Sequence, residues 1–73
     1  MNRRYTKQSS AIVANIRAIR IKKELSQIQV ASKLEISQNA YSKLELGYCK
    51  LRVDQLICIS EILDVPVQML IDI

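Results

Sequence analysis

Residues 25–47 read LSQIQVASKLEISQNAYSKLELG, and the placement of serine and glycine in this stretch decides the fold. Ser26 precedes an eight-residue segment, Gln27 to Leu34, in which Val30, Ala31 and Leu34 fall at helical spacing. A serine hydroxyl ahead of such a segment accepts a hydrogen bond from a free N–H of the first turn, so Ser26 reads as its N-cap. Glu35-Ile36-Ser37 interrupts the pattern, and Ser37 caps a second segment, Gln38 to Leu46. At about 100° per residue, Tyr41, Leu44 and Glu45 share one face of that segment, while Asn39 and Lys43 point the other way. Gly47 is placed to end the helix in the left-handed conformation. The stretch therefore predicts two short helices, joined by three residues, at about 26–46.

Working outward, residues 1–9 are polar and basic, carry Arg3, Arg4 and Lys7, and lack apolar periodicity. They are expected to form a flexible arm. Ser9 or Ser10 is expected to cap a first helix running to about Lys23, with Ile12, Ile16 and Ile19 as its apolar face. Arg20 lies at the edge of that stripe, where a cation must find a partner or snorkel. On the other side, a loop from Tyr48 to Arg52 leads to a fourth helix at about 53–63. Leu56, Ile59 and Leu63 form its main stripe, and Cys58 and Ile62 a second apolar flank. Pro66 suits the start of a short fifth helix at about 67–71, where its missing N–H costs little. No strand signal or repeat occurs. The expected architecture is all-α, five short helices in one bundle, with residues 10–73 as a single domain behind the arm.

Composition narrows the function. A chain of 73 residues supports one domain with a modest core, worth about 3–5 kcal/mol net, and gains from a partner subunit. It has no histidine, tryptophan or phenylalanine and a single glycine, which removes the commonest acid–base residue, histidine metal sites and glycine-rich phosphate loops. An enzyme, a metal site and a cofactor are not expected, nor does any small-molecule substrate suggest itself. Cys49 and Cys58 form no Cys-x-x-Cys pair and follow no secretory signal, which points to a reducing cytoplasm. No stretch approaches the roughly 18–20 apolar residues of a membrane span. A membrane-surface peptide would need one continuous amphipathic helix, and the breaks at Leu25, Ser37 and Gly47 argue against it. Charge is segregated: residues 1–52 hold all eleven basic side chains against three acidic ones, a balance of +8, and residues 53–73 hold four acidic and no basic ones, a balance of −4. One end of the molecule is thereby suited to a polyanion.

Several further pieces stand in fixed order. They are Ile16-Arg17-x-Ile19-Arg20, Leu25-Ser26-Gln27-x-x-Val30-Ala31, Leu34-x-Ile36-Ser37, Tyr41-Ser42-x-Leu44-Glu45-x-Gly47, Leu56-x-x-Ile59-x-x-x-Leu63-x-Val65 and Leu70. The set resembles the phage repressor and Cro type (XRE-like) helix-turn-helix domain over about three quarters of the chain. The resemblance implies a five-helix lambda-repressor-like bundle that binds double-stranded DNA. It implies an ion pair between Arg20 and Glu45, a small residue, Ala31, where two helices cross, and Gln27 as a clamp on the DNA backbone. Helix 3 would enter the major groove, with Gln38, Asn39 and Lys43 contacting bases and Ser42 and Ala40 as minor contributors. Amide side chains can pair with adenine N6 and N7, and lysine can reach guanine O6 and N7. Arg17, Arg20, Lys22, Lys23, Lys50 and Arg52 are the expected phosphate contacts, with Arg3 and Arg4 reaching along the backbone or into a minor groove.

The chain departs from the pattern at four places. Glu35 stands where many relatives have a glycine, and a positive φ there costs about 1 kcal/mol. Tyr41 replaces a usual isoleucine or valine and is expected in the core with its hydroxyl at the rim. Leu51-Arg52 replaces a proline and a capping serine, so the start of the fourth helix is weakly marked. Leu46 falls on the outer face of helix 3, where it either meets a thymine methyl or stands as an exposed leucine. The expected function is a repressor-type transcriptional regulator of bacterial or phage kind, binding a palindromic operator as a homodimer. Ile62, Val67, Met69, Ile71 and Ile73 are the expected dimer contact. A second reading stays open: an antitoxin-like or protein-binding helical module whose C-terminal apolar surface engages a partner protein.

Overall fold

The chain order is α1 (Lys7–Lys22), α2 (Gln27–Leu34), α3 (Gln38–Leu46), α4 (Val53–Leu63) and α5 (Val67–Ile71). This is a computed structural model describing residues 7–72, with side chains from residue 8 onward. Among the described residues there is no strand. The expected contributions of Arg3, Arg4 and Ile73 lie outside the described residues.

The serine caps work through specific bonds. The Ser26 hydroxyl accepts from the Gln29 N–H at 3.0 Å, and the Gln29 side-chain oxygen accepts from the Ser26 N–H at 2.7 Å. That reciprocal pair is a capping box. The Ser37 hydroxyl accepts from the Ala40 N–H at 3.0 Å. Helix α4 begins at Val53 as expected, with Gln55 doing half of the same work: its side-chain oxygen accepts from the Arg52 N–H at 2.9 Å. Helix α1 differs from expectation. It already runs at Lys7, so Ser9 and Ser10 lie inside it rather than capping it, and residues 7–9 are helical rather than part of an arm. Lysine and glutamine at positions 7 and 8 are good helix formers, and serine costs only a few tenths of a kcal/mol inside a helix.

The first four helices end alike. A residue in the left-handed region follows each: Glu24 (φ 59°), Glu35 (φ 61°), Gly47 (φ 79°) and Asp64 (φ 58°). Its N–H reaches back to the carbonyl of Ile21, Ser32, Leu44 or Glu61. The next N–H, of Leu25, Ile36, Tyr48 or Val65, reaches Arg20, Ala31, Lys43 or Ser60. This double closure is the Schellman arrangement, which satisfies the last carbonyls and turns the chain sharply. Leu25, Ile36 and Val65 then fold back onto the core.

Every helix supplies that core: Ile16 from α1, Val30 and Ala31 from α2, Tyr41 and Leu44 from α3, Ile59 and Leu63 from α4, and Leu70 from α5. On α1 the buried pair is Val13 and Ile16, with Ile12 and Ile19 half-buried at its edges. Cys58, expected on an apolar flank, is exposed, while Ile62 is half-buried against the core. Five residues are too few for a stable isolated helix, so α5 depends on its neighbours. Burial of Leu70 anchors it, and the Asn15 amide donates to the carbonyls of Leu70 (2.9 Å) and Asp72 (3.1 Å) at its end. With α1 packed against α3, α4 and α5, the inner face of α3 is covered and its outer face is left to solvent.

Candidate nucleic-acid interface

The side chains on α3 divide by geometry. Tyr41, Leu44 and Glu45 are buried, and Gln38, Asn39, Lys43 and Leu46 are exposed, with Ser42 and Ala40 half-buried between. At about 100° per residue, Gln38, Ser42, Leu46, Asn39 and Lys43 fall in that angular order within an arc of roughly 140°. One narrow face of a nine-residue helix thus carries two amides, a hydroxyl, an ammonium group and one aliphatic side chain. Gln38, Asn39 and Lys43 are open to solvent, and Ser42 is partly so.

What orients this face is a polar cluster beneath it. Arg20 is 8% exposed and Glu45 6%, the two buried charged side chains among the described residues. The Arg20 guanidinium grips the carboxylate with two bonds, Nε to Oε2 and Nη2 to Oε1, the latter at 3.1 Å. Its Nη1 donates to the Leu25 carbonyl at 2.8 Å. The Tyr41 hydroxyl donates to Glu45 Oε2, and Gln27 Nε2 donates to Oε1 at 3.3 Å. One carboxylate thereby ties together α1, the start of α2 and two turns of α3. Tyr41 is fully buried, and its hydroxyl lies in this cluster rather than at the rim. The spacing of Tyr41 and Glu45, four apart on one helical face, is the signal from which that bond was readable.

The electrostatics follow from the packing. Burial works against the Glu45 carboxylate, but bonds from Arg20, Tyr41 and Gln27, with the charge of Arg20, outweigh it, and its pKa lies below the ordinary 4.5. The bond to Glu45 raises the pKa of Arg20 against the opposing effect of burial. Burial, then the bond to the carboxylate, pushes the Tyr41 phenol well above its ordinary 10.0. The cluster therefore carries a charged pair and a neutral phenol at neutral pH.

The other anticipated contacts fall into separate groups. Arg17 and Gln27 line one open cleft, together with Glu45, Leu46 and Gly47. Lys50 and Arg52 line another, beside Ser9, Ile12 and the start of α4. Lys22 and Lys23 are exposed at the end of α1, in neither cleft. Arg20 is nearly covered, with its guanidinium bonded to Glu45 and Leu25, while Arg17 is exposed and Gln27 is half-buried with its amide bonded to Glu45. Arg52 pairs with Asp54 at 3.2 Å, but both side chains are 70% exposed and the pair is worth little. Among the described residues no group of three or more histidine, cysteine or acidic side chains could hold a metal ion, and no helix is long and apolar enough to cross a membrane.

No curated protein matches the sequence. A family model described as helix-turn-helix matches residues 16–70, from the third turn of α1 to the last residue but one of α5. That span takes in the capped pair α2 and α3, the Arg20–Glu45 clamp and the solvent-facing side of α3. With well over half of its 73 residues matched, the chain belongs to the XRE-type helix-turn-helix family of DNA-binding domains.

Proposed function

We propose that this protein is a repressor-type transcriptional regulator that reads a palindromic operator as a homodimer. The observation that carries the reading is the exposed face of α3, where Gln38, Asn39 and Lys43 stand within one arc of the helix, in the part of the chain that holds every basic residue. Helix α3 enters the major groove with its first turn toward base edges, which suits adenine for the two amides and guanine for the lysine. Ser42 lies within the same arc and adds a short-range contact. Arg17, Gln27, Lys22, Lys23, Lys50 and Arg52 meet phosphates on either side and fix the register. Gln27 has a further advantage: it opens α2, where backbone N–H groups and the dipole favour an anion.

Dimerisation rests on apolar exposure at the acidic end. Met69 and Ile71 are about half exposed, and Val67 and Ile62 are half-buried beside them. Two-fold symmetry in the dimer predicts a palindromic site with half-sites about 34–36 Å apart. Selection of bound duplexes from a random pool tests the reading. The expected result is one enriched palindrome, bound by a dimer in sedimentation. Joint replacement of Gln38, Asn39 and Lys43 by alanine is expected to abolish the enrichment while helicity is retained. A pool with no enriched sequence overturns the proposal, and a monomer on a single half-site overturns its dimeric part.

A further inference from the structure

We infer that Leu46 reads the C5-methyl group of a thymine, as an apolar member of the base-contacting face of α3. The inference rests on the proposed DNA reading and adds to it a contact of a different chemical kind. Leu46 is 58% exposed, although α3 has a well-packed inner side formed by Tyr41, Leu44 and Glu45. It lies one heptad beyond Asn39, three residues beyond Lys43 and four beyond Ser42, in the middle of the outward arc. A leucine there can neither donate nor accept a hydrogen bond, so on a base-pair edge it has one complementary feature. In the major groove that feature is the thymine methyl, which apolar side chains contact.

The geometry allows the contact along a single path. Helix α3 has nine residues, about 13 Å at 1.5 Å rise per residue. The major groove is about 12 Å wide and 8.5 Å deep. A helix lying lengthwise in it keeps Leu46 within the groove when Gln38 and Asn39 touch bases. A helix entering end-on lifts Leu46 out to the sugar–phosphate wall, toward the cleft it shares with Arg17 and Gln27. Thymine reading by Leu46 therefore commits α3 to the lengthwise pose and sets the contacted thymine several base pairs from the position read by Asn39.

The test uses the full chain and the duplex it selects. Each thymine of a half-site is replaced in turn by deoxyuridine, which removes only the methyl group. One methyl group is worth about 0.8 kcal/mol, so one position is expected to lose roughly fourfold in affinity. That loss is expected to vanish in L46A and to persist in L46M, whose side chain keeps an apolar tip of similar reach. Circular dichroism of both variants checks that the helices are intact. A uracil profile identical in wild type and L46A overturns the inference and leaves the DNA reading standing. So does an L46A loss that is equal on thymine and uracil duplexes, because the leucine then touches sugar or phosphate. If the wild-type chain selects no sequence at all, the DNA reading has failed and this inference falls with it.

Discussion

Glu45 shows how one side chain can serve both the core and the surface. Its carboxylate accepts bonds from Arg20, Tyr41 and Gln27, residues that approach from three helices. Removing it alone leaves the Arg20 charge buried without a counter-ion, a defect worth about 3–5 kcal/mol and comparable to the whole stability of so small a domain. Replacing the cluster entirely is a milder change, since well-packed apolar substitutes for buried ion pairs are often neutral or better. The pKa direction fixes the pH behaviour. The carboxyl of Glu45 is depressed in the folded state, so its stabilisation is present above the unfolded value near 4.5 and is lost as pH falls through the folded value. The stability of wild type against urea is therefore expected to fall progressively below about pH 4.5. In the triple variant R20M/Y41F/E45L the loss between pH 5 and pH 3 should shrink. An unchanged acid limb would show that other carboxylates govern it.

At the scale of elements, the chain spends three acidic residues where glycine is the usual choice. Glu24, Glu35 and Asp64 each adopt a left-handed conformation that is unfavourable for a residue with a Cβ. Each also brings a negative charge to the negative end of a helix dipole. Glu35→Gly is therefore expected to stabilise the fold by about 1 kcal/mol, which for a domain of this size raises Tm by roughly 4–8 °C. Differential scanning calorimetry at constant salt measures it, and a lowered Tm would show that glycine's added freedom in the unfolded chain outweighs the relief. The same residues mark the limit of what the sequence discloses. Ser26, Ser37 and Gly47 announce the ends of α2 and α3 because their chemistry suits one local conformation. Glu24 and Asp64 announce nothing by type, and only the apolar residue after each, Leu25 and Val65, hints at the turn. The exposed face of α3 was accessible from angular spacing alone. The bonds of Gln27 and Asn15 were not, because they join segments 18 and 55 residues apart and no local pattern encodes such a meeting.

For the molecule as a whole, the segregation of charge makes a quantitative demand. The exposed cations Arg17, Lys22, Lys23, Lys33, Lys43, Lys50 and Arg52 all precede α4, while Asp54, Glu61, Asp64 and Asp72 are exposed on the last third of the chain. A duplex held by the basic side releases about 0.9 counterion per phosphate neutralised, and the logarithm of the affinity falls linearly with the logarithm of salt concentration. A phosphate contact and a base contact respond differently to removal. K50Q, acting at two symmetric places in a dimer, is expected to reduce the slope by about 2 and to weaken binding to all sequences alike. K43Q is expected instead to relax preference at the one base pair it faces, by about 1–3 kcal/mol of discrimination. Affinities of both variants for the selected operator and for a scrambled duplex, measured from about 50 to 200 mM salt, separate the two roles. If K50Q alters preference among sequences, the loop before α4 lies in the groove rather than along the backbone. The docking of α3 would then have to be turned about the helix axis of the DNA.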